Sequence, residues 1–336
     1  MSLDQPRVDV SIVIVNWNSR DFLDQCLASV LAQRSTLDYE IIVVDSGSFD
    51  GGAGLVSTKY PSVRFVQSER NIGFGRANNL GVQLARGGLL LLLNPDTEFI
   101  EPVLDQLVAA HRSLASPGIV GCQLLNSDRT LQVSCVQPYP RLMNQLLDSR
   151  TMQRWLPRVP LWTSAATFDG ASEVVQVEGI IGACMLLSTE LFRQVDGFSS
   201  DYFMYAEDID LCYKVQALGL RNYYVPTCRL VHHGGGSTQK AASAFSSVMM
   251  REAISRFLVK FQGRAYGFVY RWLITLSAVA RIAALCASLP VAVIGRRPHS
   301  RQSLRKWVAI LKWGVGREPW VRQYDSLESV SPAARH

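Results

Sequence analysis

Short apolar runs at Val10–Val15, Ile41–Val44, Val63–Val66 and Gly88–Leu93 fall within the first hundred residues, separated by stretches of helical spacing. A strand with one wet face alternates apolar and polar residues, whereas a continuous run is buried on both faces. Phe22, Leu23, Leu27, Val30 and Leu31 follow the first run at helical spacing, and Ala77–Ala85 precedes the fourth. Pro102–Leu114 reads as a further helix, and Ile119–Cys122 as another short strand. Strands of this kind alternating with helices predict an α/β fold, with a mostly parallel central sheet and helices on both faces. Such sheets bind ligands beyond the carboxyl ends of their strands. The residues there are Asn16-Trp17-Asn18, Asp45-Ser46-Gly47-Ser48 and Asn94-Pro95-Asp96-Thr97. Three distant segments are thus expected to build one site.

Residues 126–172 are rich in Pro, Trp and Ser/Thr and read as a long excursion or flap. Order returns with the strand-like Gly182–Leu187, the helix-like Thr189–Val195, and a helix after Phe203 that Gly219 stops. Tyr223–Val225 reads as a short strand, and Val231–Thr238 as a glycine-rich loop. The seven cysteines are odd in number and show no CxxC spacing, so a reducing compartment is expected rather than a disulfide framework or thiolate zinc site. The N-terminus has no basic segment followed by an apolar one, which argues against a secretory signal.

Each polar cluster has a structural and a functional reading. Asp45 suits a base or ribose edge, and equally a turn. Asp96, after the most apolar strand, suits a hard cation between a carboxylate and a diphosphate, or a helix cap. Glu207, Asp208 and Asp210 favour a helix N-terminus by charge alone. Acids this crowded also repel, and one can serve as a general base of tuned pKa. His232 and His233 before three glycines are either a polar loop or a source of a metal ligand. Asn71–Asn79 is Gly-rich and opens a helix, as phosphate cradles do, but it is not GxGxxG, and no GxxxxGK[ST] occurs.

Taken in order, the segments resemble the family 2 inverting glycosyltransferases of GT-A fold, in their bacterial rhamnosyltransferase-like branch. The stretches that carry the resemblance are Val10–Asn18, Ile41–Gly51 (IIVVDSGSFDG), Asn71–Gly81 (NIGFGRANNLG), Leu92–Thr97 (LLNPDT), Gly182–Leu187 (GACMLL), Gly197–Cys212 (GFSSDYFMYAEDIDLC) and His232–Ser237 (HHGGGS). The resemblance implies nucleotide-sugar contacts at Asn16, Asp45, Ser46, Gly47, Asn71, Gly73, Asn78 and Asn94. It makes Asp96 the last acid of a DxD-like motif holding Mg²⁺ or Mn²⁺, with His232 beside it through the HxxGxS pattern. Asp208 is implied as the general base, with Glu207 at its side. With Asn at position 94, Asp96 is the only carboxylate of that motif, and Ser199-Ser200 replaces the acids usual after Gly197-Phe198. The implied reaction is a single in-line displacement with inversion, rather than a hydrolysis between two flanking carboxyl groups.

The chain of 336 residues has a net charge of +6, but residues 251–336 carry 15 Lys and Arg against 4 Asp and Glu, and the rest is net acidic. A nucleic-acid partner is therefore not expected: no basic patch surrounds the sheet. Trp272–Gly295 holds one charge, Arg281, which costs about 3 kcal/mol at the centre of a span. On a helical wheel Arg256, Lys260, Arg264, Arg271 and Arg281 share an arc of roughly 100°, with Phe257, Phe261, Phe268, Trp272, Leu276, Val279 and Ala283 to the other side. This pattern predicts a basic amphipathic helix pair lying on anionic lipid, with an oligomerisation helix as the alternative.

The expectation is a catalytic domain over 1–240 and a membrane-association region over 241–336. The enzyme would act peripherally at the cytoplasmic face of the inner membrane, moving L-rhamnose from dTDP-L-rhamnose to a lipid-linked or cell-envelope glycan. UDP-galactofuranose is the alternative donor, a non-catalytic sugar-nucleotide-binding module the rival class, and homo-oligomerisation stays open.

Overall fold

The computed structural model describes residues 8–146, 164, 168, 170–234, 244–294, 299–318 and 321. They form two compact units. The first is built on a nine-stranded sheet. Its strands β1 (Val10–Asn16), β2 (Tyr39–Asp45), β3 (Arg64–Gln67) and β4 (Leu89–Leu93) are the four apolar runs of the sequence, and they pair in parallel in the order β3-β2-β1-β4. Every residue of β1 is buried, as a doubly covered strand requires. The intervening helices are α1 (Arg20–Leu31), α2 (Gly52–Lys59) and α3 (Phe74–Gln83).

Beyond β4 the sheet becomes mixed. β5 (Thr97–Phe99) and α4 (Val103–Ser113) precede the long β6 (Pro117–Leu125). After β7 (Val136–Gln137), α5 (Leu142–Leu146), β8 (Val175–Val177) and β9 (Gly179–Ile180), strand β10 (Cys184–Ser188) enters antiparallel between β4 and β6. α6 (Thr189–Gln194) is capped by Ser188, whose side chain accepts from Leu191 N, and α7 (Glu207–Ala217) leads to β11 (Arg221–His232). β11 lies parallel to β6 and antiparallel to β5 and β8.

Two local expectations are corrected here. Val231 and His232 end a twelve-residue strand rather than beginning a glycine loop, because β5 supplies them with an edge partner. Asp96 does not cap a helix: β5 opens directly after it at Thr97, and α4 begins only at Val103. Within the expected excursion, residues 126–146 are ordered by a tight turn at Asn126–Thr130 and by the β7–β9 pair. Residues 147–163, 165–167 and 169 lie outside the described residues, as does Ser237.

The second unit contains α5, residues 201–206, α8 (Ala244–Gln262), α9 (Arg264–Ile294) and α10 (His299–Gly314). Gly263, at φ 95°, separates α8 from α9, so no single helical wheel runs through both. Tyr270, Ile274 and Ala278 of α9 are buried together with Phe257, Leu258, Ile310 and Trp313. Four of the five basic residues of the arc read from sequence have partners inside this unit, and Arg264 is exposed. Arg271 donates to the Gly314 carbonyl at 3.1 Å and stacks 4.6 Å from the Trp313 ring, and Arg281 stacks at 4.6 Å on Trp307. Arg256 pairs with Glu252 at 2.9 Å, and Lys260 with Asp201 at 3.1 Å. Phe268, Trp272, Leu276 and Val279 stay exposed, four and three residues apart. By length and composition, Arg264–Ala287 is long and apolar enough to cross a membrane.

Candidate active site

The site begins where β1 and β2 end side by side. Their register sets Asn16 opposite Asp45, and Asn16 Nδ2 donates to Asp45 Oδ2 at 2.7 Å. Asp45 Oδ1 accepts from Ser48 N at 2.8 Å and from Gln67 Nε2 at 2.6 Å. Three donors compensate a carboxylate that is only 1% exposed. Asn16 is itself fully buried, with Nδ2 on Asp45 and Oδ1 without a hydrogen-bond partner. Asn78, on α3, is 1% exposed; its Nδ2 donates to the Phe74 carbonyl of its own helix, and its Oδ1 has no hydrogen-bond partner.

Ser46, Asn71 and Gly73 form one knot. Ser46 Oγ donates to Asn71 Oδ1 at 3.2 Å and accepts from Ile72 N, while Asn71 Oδ1 also accepts from Gly73 N at 2.9 Å. Gly47 lies against this knot with φ 74°; a Cβ there would stand 2.5 Å from the Arg70 carbonyl carbon, so no other residue fits. The first turn of α3 has no side-chain cap, leaving its N–H groups for an anion.

On the other side of β1, the chain leaves β4 through Asn94-Pro95-Asp96 and turns into β5. The β5–β11 pairing sets Thr97 against His232. That register brings His232 Nε2 to 3.2 Å from Asp96 Oδ1 and 3.3 Å from Asn94 Nδ2. Both side chains are about nine-tenths buried. One carboxylate oxygen and one imidazole nitrogen at this separation fit a shared divalent cation, with its remaining positions left to phosphate oxygens and water. Among the described residues no cluster of three or more His, Cys, Asp or Glu offers a complete protein cage. His233 is directed elsewhere, with Nδ1 2.9 Å from Ser127 Oγ and Nε2 3.4 Å from Glu98.

Glu207 and Asp208 open α7, directly after Tyr205 and Ala206, which both hold positive φ. Asp208 Oδ2 accepts from Gly182 N at 2.9 Å and Oδ1 from Ile209 N at 2.8 Å. Glu207 Oε2 is buried without a hydrogen bond. Burial raises both carboxyls, and Asp208's charge pushes Glu207 further, to about 8. The two backbone donors on Asp208 oppose its rise, so the proton of the pair rests on Glu207 and Asp208 is the ionised member. Asp210 is structural: fully buried, it accepts from Ser199 Oγ at 2.6 Å. Ser199 thereby finds a use in the segment that departs from the family pattern.

These parts touch. Gly182 packs against Phe74 at the start of α3 and against Asp208, while the next residue, Ala183, accepts Asn94 N at 3.0 Å through its carbonyl. Residues 11–159 match the family model of glycosyl transferase family 2. Over that segment, less than half of the chain, the protein is similar to the family 2 glycosyltransferases. The chain is 29% identical over 239 residues to the N-acetylglucosaminyl-diphospho-decaprenol L-rhamnosyltransferase of Mycobacterium tuberculosis, covering 68% of this chain and 76% of that protein. It is 24% identical to the rhamnosyltransferase WbbL of Escherichia coli, over 67% of this chain and 83% of that one. Among solved structures, a Pyrobaculum calidifontis mannosyltransferase in complex with GDP-Man and Mn²⁺ superposes with a TM-score of 0.57 at 18% identity, covering 93% of this chain and 87% of that one. The fold is GT-A, and the matched segment is that of a glycosyl transferase.

Sequence reasoning missed Gln67, which donates to Asp45, Gln132, which meets His232, and the positioning role of Gly182. Gly182 stood within a matched stretch; an isolated Gln in an irregular segment carries no signal of its own.

Proposed function

We propose that this glycosyltransferase is an inverting, metal-dependent rhamnosyltransferase, using dTDP-L-rhamnose and a lipid-linked glycan acceptor. The observation that carries the reading is the link through Gly182 and Ala183, which ties the ionised Asp208 to the Asn94–Asp96 segment. The donor and acceptor classes are supported by the two relatives named as rhamnosyltransferases, one of them acting on a diphospho-decaprenol.

Asp96 and His232 would hold Mn²⁺ or Mg²⁺, whose charge neutralises the departing diphosphate. Asp45, steadied by Asn16 and Gln67, faces the nucleoside, and the uncapped α3 N-terminus faces the phosphates. Asp208 takes the proton of the acceptor hydroxyl as that oxygen bonds to the anomeric carbon and the bond to the diphosphate breaks. The product then has the opposite anomeric configuration. Protonated Glu207 adds no second charge to repel the diphosphate.

We place the enzyme peripherally on the cytoplasmic face of the inner membrane, with the exposed Phe268–Val279 stripe of α9 against lipid. Two arginines tied into neighbouring helices favour this over a span.

The test is transfer by purified enzyme with Mn²⁺, a panel of nucleotide sugars and a polyprenyl-diphosphate glycan acceptor, with product configuration read by NMR. Transfer from dTDP-L-rhamnose with inversion is expected. Preference for a uridine or guanosine donor overturns the donor assignment. Asp208→Asn should reduce turnover at least about a thousandfold while donor affinity stays within a few-fold; unchanged turnover removes Asp208 as the base.

A further inference from the structure

We propose that Gln132 is a positioning residue for the cation side of the site: it holds His232 in the Nδ1–H tautomer, leaving Nε2 as a bare donor toward the ion shared with Asp96. This inference rests on the reading of Asp96 and His232 as a cation couple and adds a residue to it.

His232 Nδ1 lies 2.7 Å from Gln132 Oε1. If the amide were turned over, its NH₂ would face Nδ1, the imidazole proton would move to Nε2, and that nitrogen could no longer bind a cation. The amide is prevented from turning by a chain of one-way hydrogen bonds. Asp128 is an acceptor only; its Oδ1 takes the Thr130 hydroxyl at 2.5 Å. Thr130 Oγ1 then accepts from Asn126 Nδ2 at 2.9 Å, and the same amide nitrogen lies 3.4 Å from the Leu131 carbonyl. Asn126 is left presenting Oδ1 to Gln132 Nε2, at 3.4 Å. Gln132 is left presenting Oε1 to the imidazole. Every link points the same way, from the imidazole out to the carboxylate.

On the opposite side of the ring Nε2 has a donor, Asn94 Nδ2, at 3.3 Å and an acceptor, Asp96 Oδ1, at 3.2 Å, so the Nδ1–H assignment rests on Gln132 and its chain rather than on that side.

Local folding explains why Gln132 arrives here. Asn126 N donates to the Thr130 carbonyl, Arg129 N donates to the Asn126 carbonyl, and Arg129 takes φ 66°, so the chain reverses within five residues. Leu131 then bridges back to Leu125, and Gln132 N donates to the Leu124 carbonyl at 2.8 Å. The returning strand thus carries Gln132 alongside β6, next to the end of β11. Gly234 leaves room for the amide: a Cβ there would stand 3.3 Å from Gln132 Nε2.

Outer hydrogen-bond partners of this kind typically change metal affinity by about 10–100-fold. The experiment has two readouts on the full-length protein. Nitrogen NMR of metal-free, ¹⁵N-histidine-labelled enzyme reports the His232 tautomer, with His232→Ala for assignment. Calorimetric titration of Mn²⁺ in the presence of dTDP reports cation affinity. Wild type is expected to show the Nδ1–H tautomer. Gln132→Leu should lose that preference and bind Mn²⁺ at least about tenfold more weakly, while Gln132→Glu, which keeps an acceptor oxygen, retains both. Gln132→Leu with wild-type tautomer and wild-type Mn²⁺ affinity overturns the proposal. So does an Nε2–H tautomer in the wild type, a result that needs no variant to fold. Failure of wild type to bind Mn²⁺ would instead overturn the cation couple itself, and the tautomer of the metal-free protein would still decide Gln132's hold on His232.

Discussion

Gly182 donates its backbone N–H to Asp208 Oδ2 at 2.9 Å, and its neighbour Ala183 accepts the Asn94 N–H at 3.0 Å. Two consecutive residues at the head of β10 therefore join the proposed base to the segment that carries Asp96. A displacement needs its base and its leaving-group stabiliser on opposite sides of one carbon, with errors well below an ångström. Here two consecutive residues of the buried turn that enters β10 set both.

Gly182→Ala tests that link. The added Cβ would stand 3.0 Å from Phe74 Cε1, while Asp208 Cβ at 3.6 Å is in ordinary contact, so the Phe74 ring or the Gly182 backbone must give by a few tenths of an ångström. Overpacking of this size costs about 1–3 kcal/mol of stability. Turnover should fall more than ten-fold, with a smaller change in donor KM, because a shift of the Gly182 backbone carries the N–H that holds Asp208 while the nucleotide contacts at Asp45 and Asn71 stay in place. Equal losses in both parameters would mean that the glycine serves the fold alone.

Glu207→Gln separates the two acids of α7 through pH. In the unfolded chain Glu207 titrates near 4.5, and in the folded protein it is held protonated up to about 8, mainly by burial. Between those values the folded state keeps a proton that the unfolded state has released, so this group's contribution to stability falls as pH rises through the window. Glutamine has no such dependence. The variant and wild type should therefore melt together near pH 5, and at pH 8–9 the variant should melt several degrees higher, roughly as a difference of a few kcal/mol implies. Thermal melts across pH 5–9 decide it; a parallel pair of curves would show that Glu207 is ionised in the folded protein.

The parallel half of the sheet and the segments at its strand ends were legible because buried strands announce themselves locally. What brings Asp96 to His232 was not. The pairing of Thr97 with His232 joins residues more than a hundred positions apart through a three-residue strand, too short to show any periodicity. Asn16 and Asn78 show a related ambiguity: a polar residue at a strand end or helix start reads the same in the sequence whether it faces a ligand or an internal partner. The basic arc of the expected helix pair is placed on one helical wheel, whereas Gly263 separates the two helices and Arg256, Lys260 and Arg271 turn to partners within their own unit. A helical wheel shows Glu252, four residues before Arg256, but has no means of seeing Asp201 or the Gly314 carbonyl.

Asn16 makes an internal prediction about Asp45. Removing its side chain takes away the 2.7 Å donor on Asp45 Oδ2 and leaves a buried carboxylate one hydrogen bond short. A loss of about 2–3 kcal/mol is expected for Asn16→Ala, with dTDP binding weakened in parallel. Asn16→Asp should be worse, since it sets a second carboxylate against the first. Thermal melts and dTDP titration at pH 7 check the order wild type, Ala, Asp. If the Asp variant matches wild type, the pair does not govern this end of the site.

Lipid binding should depend on the exposed stripe and not on the arginines of the helical-wheel arc. Phe268, Trp272 and Leu276 are more than half exposed, and Val279 nearly half, while Arg256 and Arg271 are tied to carbonyl and carboxylate oxygens of their own unit. A combined Phe268→Ser, Trp272→Ser and Leu276→Ser variant removes apolar area that is already in water, so the fold should persist. Each such side chain contributes about 1–2 kcal/mol when half-buried in the interface, so vesicle binding should fall at least a hundredfold. The attraction to anionic lipid then falls to the exposed Arg305, Lys306 and Lys312 of α10, each worth about 1 kcal/mol near the surface. Neutralising those three should flatten the dependence on phosphatidylglycerol content while leaving residual binding to neutral vesicles. Flotation with vesicles of zero and thirty per cent phosphatidylglycerol distinguishes the two contributions. Full retention of binding by the triple-serine variant would exclude the stripe as the lipid-facing surface.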